Sequence, residues 1–180
     1  MMRDMDKQPE SRFRKYSIFL INAVFVGIAF VGVNTFQARN MLQTDRQPAP
    51  DLEVSTLQGE PYSLANAADR PVLMYFFAPW CHYCAASADN IVRLRRLRNE
   101  EELEIVMVAL DWRDLPELQA YARKHELNVP VLLGDSRVAR EWKVYAFPTY
   151  YVLDSQHGVA KRDIGYSTQL GLWWRSWIVD

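Results

Sequence analysis

Six consecutive apolar residues, Val72 to Phe77, stand between Pro71 and the Ala78-Pro79 pair. A run this short, rich in aromatics and without polar alternation, reads as a strand buried on both faces. Behind it Ala88, Ile91, Leu94 and Leu97 recur at helical spacing with arginines between them, so the strand feeds a helix whose apolar stripe covers a sheet. At the junction lies Trp80-Cys81-His82-Tyr83-Cys84, which holds the only 2 cysteines of the 180 residues. An exported domain stapled by disulfides carries more. The fold therefore does not depend on a disulfide framework, and this pair is free to cycle between dithiol and disulfide.

The rest of the pattern alternates. Glu104 to Leu110 reads as a second buried strand, and Asp114 with Glu117 as a capping box for a helix through Leu118 and Tyr121. Val129 to Leu133 predicts a short strand and Ser136 to Trp142 a short helix. Tyr150 to Leu153 and Val159 to Ile164 flank the turn Asp154-Ser155-Gln156-His157-Gly158 as a hairpin. The last helix is expected over Thr168 to Ile178, with Leu170, Trp173, Trp174 and Trp177 forming one apolar stripe, read first as core and otherwise as a membrane-facing or partner-facing patch. Strands joined through helices, then a hairpin and a closing helix, give an α/β fold: a mixed central sheet with helices on both faces, in three layers. With 21 basic and 22 acidic residues, no global field favours nucleic acid. Arg93, Arg95, Arg96 and Arg98, answered by Glu100 to Glu102, read as a solvated helix face.

Ahead of this domain the composition shifts. Residues 1–16 are polar and carry Arg3, Lys7, Arg12, Arg14 and Lys15; Ser17 to Phe36 has no formal charge. A helix of that length spans about 30 Å, the thickness of a bilayer's hydrocarbon core. The basic excess before it predicts a cytoplasmic N-terminus and an extracytoplasmic remainder. The exit Val33-Asn34-Thr35-Phe36-Gln37-Ala38 is a poor cleavage site, because Phe36 stands where a small residue is needed. Residues 17–36 therefore read as an uncleaved signal-anchor, 37–50 as a linker able to reach about 50 Å, and 51–180 as the globular domain.

The chemistry concentrates at two places. A cysteine opening a helix meets unpaired backbone N–H groups and the positive end of the helix dipole, which favour its thiolate. Cys81 is thus the candidate nucleophile, and Cys84, one turn on, the resolving thiol. Trp80 offers an apolar wall beside it. His82 and Tyr83 occupy positions that tune the redox poise; an imidazolium beside Cys81 stabilises its thiolate. The second place is Phe147-Pro148-Thr149. X-Pro is the bond that takes cis at modest cost, and a cis turn there presents the Phe147 backbone for a substrate segment to add as a strand. His125 and His157 lack ligand-like spacing, so no metal and no cofactor are expected. Asp111, after the second strand, reads as a turn cap.

The cysteine motif behind an apolar strand, with Phe147-Pro148-Thr149 following, resembles the thioredoxin superfamily. The uncleaved anchor, Ala49-Pro50-Asp51-Leu52 and Gly59-Glu60-Pro61-Tyr62-Ser63-Leu64 resemble its TlpA/ResA branch of extracytoplasmic oxidoreductases. Gly165-Tyr166-Ser167 through Gly171-Leu172-Trp173-Trp174-Arg175 is similar to the ScsD-like subgroup, named for suppression of copper sensitivity. The resemblance implies a thioredoxin-like fold behind one transmembrane helix, Cys81 attacking, Cys84 resolving and Pro148 as cis-proline. Two positions depart from the pattern. Tyr75 stands where thioredoxins carry a buried aspartate, and Ser87 where ResA-type proteins carry a glutamate. Both carboxylates help move the buried thiol's proton; here water, Tyr75 or His82 are the nearest candidates.

The expected function is dithiol–disulfide exchange with exported proteins from the periplasmic side of the inner membrane. Reduction is favoured, serving cytochrome c maturation or copper and oxidative stress tolerance, with a membrane electron donor of the DsbD type. The alternatives are a disulfide oxidase or isomerase, a structural or assembly role, and a copper(I) metallochaperone, since soft thiolates suit that ion. A peroxidase is disfavoured, because the Pro-x-x-x-Thr-x-x-Cys context of peroxiredoxins is absent.

Overall fold

The computed structural model describes residues 10–67, 69–177 and 179, the side chains of 10–14, 30 and 33–38 excepted. It divides into two units, Met1–Asn40 and Met41–Asp180. The described part of the first is helix α1, Glu10–Arg39. Its apolar side chains, among them Ile18, Phe19, Ile21, Phe25 and Ile28, are exposed. Asn22 turns its amide back onto the carbonyl of Ile18 at 2.8 Å, so this polar group is satisfied within the helix. Among the described residues no helix is long and apolar enough to cross a membrane. Of the expected span 17–36, residues 30 and 33–36 have side chains outside the described set, and residues 1–9 of the expected cytoplasmic segment lie outside the described residues.

The second unit contains β1 (Glu53–Ser55), β2 (Pro61–Ser63), a 3-10 turn (Leu64–Ala67), β3 (Val72–Phe77), α2 (His82–Leu97), β4 (Glu104–Ala109), α3 (Leu115–Lys124), β5 (Val131–Leu133), α4 (Ser136–Glu141), β6 (Thr149–Leu153), β7 (Val159–Ile164) and α5 (Gln169–Trp177). The main sheet has the order β5-β4-β3-β6-β7. β3, β4 and β5 run parallel, β6 runs antiparallel to β3, and β7 closes the hairpin. As the unbroken apolar run requires, β3 is central and buried throughout. Leu73, Tyr75 and Phe77 enter the core under α2, α3 and α5. Val72, Met74 and Phe76 enter a second core with Trp142, Val138, Leu64 and Met41.

Several expectations are corrected. The segment read as a linker is packed from Met41 onward: Met41 is buried, Arg46 and Ala49 donate backbone N–H groups to Val159 and His157, and Arg46 pairs with Asp154. Leu97 is exposed, because each three-residue step falls about 60° short of a turn and three steps carry it opposite Ala88. Arg93 and Arg96 are solvated, but Arg98 is buried, paired with Glu102, its guanidinium 4.9 Å from the Trp177 ring. On α5 the buried residues are Leu172 and Ser176, with Trp173 partly covered. Leu170, Trp174 and Trp177 are exposed. The small Ser176 side chain, bonded to the Trp173 carbonyl, and the Arg175–Asp163 pair to β7 set that rotation. The capping box is half formed: Asp114 caps Glu117 N–H, but Glu117 accepts from Arg113 N–H rather than from Asp114.

Candidate active site

β3 ends at Phe77, and the chain reaches Cys81 in one turn closed by a bond from Cys81 N–H to the Ala78 carbonyl. Cys81 is the N-cap of α2, in extended conformation (φ −82°, ψ 113°). Its Sγ accepts the Cys84 N–H at 3.2 Å, so the sulfur does what a capping oxygen does elsewhere. The same orphan N–H groups stabilise negative charge there once the sulfur is free. Cys81 and Cys84 are joined as a disulfide with Cα atoms 5.2 Å apart. Cys81 keeps 7% of its surface and Cys84 none, so an incoming sulfur meets only the first. His82 and Tyr83, on the opening turn of α2, face solvent.

Beneath the pair lie hydroxyls instead of carboxylates. Tyr75 is fully buried and donates its phenol to the Cys84 carbonyl at 3.0 Å. Burial pushes its pKa well above the ordinary tyrosine value, so Tyr75 keeps a proton at rest and is not a free base among the expected acceptors. Its ring centroid is 4.9 Å from that of Tyr150, whose pKa burial pushes up to about 12. Ser87 and Tyr150 hydroxyls are buried without a well-formed hydrogen bond, although both lie close enough to the Tyr75 phenol to influence it.

The outer wall joins the two sequence motifs. The Trp80 indole N–H donates to the Asp111 carbonyl and to Asp111 Oδ2, each at 3.1 Å, and its ring meets Phe147 edge-on at 5.9 Å. The Phe147–Pro148 peptide is cis. Pro148 is buried and its carbonyl accepts the Gly165 N–H at 2.8 Å, which ties this loop to the end of β7. A groove of about 440 Å³ opens alongside, lined by Leu110, Asp111, Trp112, Gly134, Ala139 and Phe147. The structure thus gathers Trp80, Cys81, Cys84, Phe147 and Pro148 at one place. Asp111, expected only to cap a turn, holds Trp80; a lone acid after a strand carries no sequence signal for that partner.

Among the described residues no three His, Cys, Asp or Glu side chains converge to hold a metal. His125 faces Asp89 at 3.3 Å and His157 the Ala67 carbonyl at 3.2 Å.

Comparison with known proteins fits this architecture. The profile of the AhpC/TSA family matches residues 46–162, well over half of the chain. The chain belongs to the AhpC/TSA family. It is 26% identical over 149 residues to the thioredoxin-like protein YneN of Bacillus subtilis, covering 79% of this chain and 86% of that one. It is 25% identical over 156 residues to the thiol-disulfide oxidoreductase ResA of Oceanobacillus iheyensis, covering 82% and 80%. A thioredoxin-family thiol:disulfide interchange protein of Chlorobium tepidum superimposes with a TM-score of 0.69 at 20% identity, over 77% of this chain and 99% of that one, which shows the fold. This AhpC/TSA member is a thiol–disulfide oxidoreductase with a thioredoxin-like fold. Before Cys81, Met74 and Ala78 occupy the Pro and Thr positions of the peroxiredoxin context.

Proposed function

We propose that the protein is a membrane-anchored, extracytoplasmic protein disulfide oxidoreductase in which Cys81 attacks and Cys84 resolves. The observation that carries the assignment is the asymmetry of the pair: Cys81 caps the helix with residual exposure, and Cys84 is sealed. A thiolate at the cap is stabilised where an exported protein's disulfide can reach it, and the resolving thiol sits one turn behind for intramolecular attack. Phe147 and Pro148 dock the substrate backbone, Trp80 shields the reacting sulfurs, and His82 and Tyr83 adjust the potential from the solvent side. Residues 17–36 anchor the chain in the inner membrane with the second unit in the periplasm, a reading supported by the uncharged stretch and the basic residues before it. A tethered domain with a lone redox pair suits reduction, with electrons drawn from a membrane donor of the DsbD type. The resemblance to the TlpA/ResA branch and its ScsD-like subgroup points to cytochrome c maturation or copper and oxidative stress as its setting.

The test is mixed-disulfide trapping. Cys84→Ser should accumulate substrates on Cys81, and Cys81→Ser almost none, on non-reducing gels of periplasmic extracts. Equal trapping by both variants reverses the assignment.

A further inference from the structure

A polar row crosses the sheet beneath the redox pair. Tyr75 on β3 is the cross-strand partner of Tyr150 on β6, and Tyr150 is the partner of Asp163 on β7. Directly opposed antiparallel residues put their side chains on one face about 5 Å apart, here the face under α2 and α5. At one end the Tyr75 phenol touches Cys84 through its carbonyl. At the other end Asp163 pairs with Arg175 of α5 at 2.6 Å and keeps 29% of its side chain exposed. Ser87, one helical turn after Cys84, is fully buried beside the row. The Ser87 and Tyr150 hydroxyls lack well-formed partners, an arrangement that burial penalises unless the groups serve a purpose.

A buried thiol must shed its proton before it can attack, and Cys84 has no exposed surface through which to do so. We propose that the row Tyr75, Tyr150 and Asp163, with Ser87 beside it, carries the proton between Cys84 and solvent, Asp163 being its terminal acceptor. This rests on the reading of Cys84 as the resolving thiol. In the mixed disulfide the Cys84 Sγ–H bond breaks and a Cys84–Cys81 S–S bond forms as the bond from Cys81 to the substrate sulfur breaks. The electron pair leaves on the substrate thiolate, so the substrate is reduced and the two protein sulfurs are oxidised. Each hydroxyl receives one proton and passes one on, so none changes its charge. The carboxylate of Asp163 takes the last one.

The groups facing Tyr150 are Tyr75, Ser87, Asp163, Arg175 and the Ser167 backbone; Tyr75 also feels Tyr121. Asp163 faces Arg175 and the Ile164 N–H, and burial holds its pKa above the usual carboxylate value despite them, which brings it nearer to that of a thiol. Arg175 also bonds the Ser167 hydroxyl, and Asn90 the Ser167 carbonyl, so the acceptor end is braced from α2 and α5.

The experiment is stopped-flow reaction of the reduced full chain in detergent with 5,5′-dithiobis(2-nitrobenzoate), from pH 5 to 9. The first thionitrobenzoate released reports attack by Cys81, and the second reports resolution by Cys84. Tyr150→Phe and Asp163→Asn should leave the first phase at its wild-type rate. They should slow the second about tenfold at pH 6, moving its profile alkaline by about one unit, and converge with wild type at high pH. Second phases that coincide with wild type at every pH overturn the proposal, as does equal slowing of both phases, which marks a packing effect. Absence of a first phase in the wild-type chain, or its persistence in Cys81→Ser, refutes the assignment of Cys81 instead. Should Asp163→Asn fail to fold, Tyr150→Phe, which keeps the ring, decides the question alone.

Discussion

Trp80 is held at the rim of the redox pair by Asp111, which accepts the indole N–H through both its carbonyl and its carboxylate at 3.1 Å. Asp111 has a φ of 51°, a left-handed conformation that Asp and Asn tolerate best. One residue therefore supplies the acceptor and the turn that aims it, and fixes a side chain that is 57% exposed against Phe147. Asp111→Asn keeps both properties and should retain wild-type exchange with insulin. Asp111→Ala loses the carboxylate and adds left-handed strain. It should cost about 1–2 kcal/mol in urea unfolding and weaken insulin reduction. Identical kinetics in the two variants would show that the indole does not need the carboxylate.

The packed segment before β1 makes a second expectation. Met41 is 3% exposed, and burying a methionine contributes about 2 kcal/mol. The backbone bonds Arg46–Val159, Ala49–His157 and Val159–Gln47 add about 1 kcal/mol each at most, while the Arg46–Asp154 pair, whose arginine is largely solvated, adds little. A fragment starting at Met41 should therefore be about 4 kcal/mol more stable than one starting at Asp51. Urea midpoints of the two fragments check this, and equal midpoints would show the segment to be a tether after all.

Gly134 follows β5 where there is no room for a side chain. An added Cβ would lie 2.6 Å from Leu110 Cδ2 and 2.9 Å from both the Ala109 carbonyl and Val108 Cγ1. Its own carbonyl accepts the Trp112 indole at 3.0 Å, so a shift here reshapes the groove beside Phe147. Gly134→Ala should destabilise the protein by about 1–3 kcal/mol and change Trp112 fluorescence. A variant that melts with the wild type would mean that Leu110 simply swings aside.

What was legible in the sequence follows from how local each signal is. β3, α2 and the β6–β7 hairpin rest on short-range patterning, and the structure places them within a residue or two of expectation. The gathering of the cysteine pair with Phe147 and Pro148 was legible because each motif carries its own backbone constraint. Long-range contacts were not. Nothing near Arg98 announces Trp177, nothing near Asp111 announces Trp80, and Met41 enters a core whose members include Tyr151 and Val159, more than 100 residues on. The α5 stripe failed because Leu170, Trp173, Trp174 and Trp177 outnumber Leu172 and Ser176. A count of large apolar residues cannot show which narrow face fits the sheet.

The remaining prediction concerns residues 17–36. A stretch of 20 residues without formal charge is about 30 Å of helix, and the basic residues 3, 7, 12, 14 and 15 precede it, so under the proposed anchor reading the charge bias predicts a cytoplasmic N-terminus. Asn22 and Asn34 are the polar residues that oppose insertion, and Asn22 already spends its amide on the Ile18 carbonyl, which lowers its desolvation cost. Alkaline phosphatase fused after Asp51 should be active, and the chain should stay with membranes through a carbonate wash. Replacing the five basic residues with glutamine should lower phosphatase activity by inverting part of the population. Substituting Ile21 and Phe25 with lysine should release the chain from the membrane, because a lysine at the helix centre costs about 2.5–3.5 kcal/mol. A chain recovered in the soluble fraction without these substitutions, with a new N-terminus near Ala38, would establish cleavage and end the anchor reading.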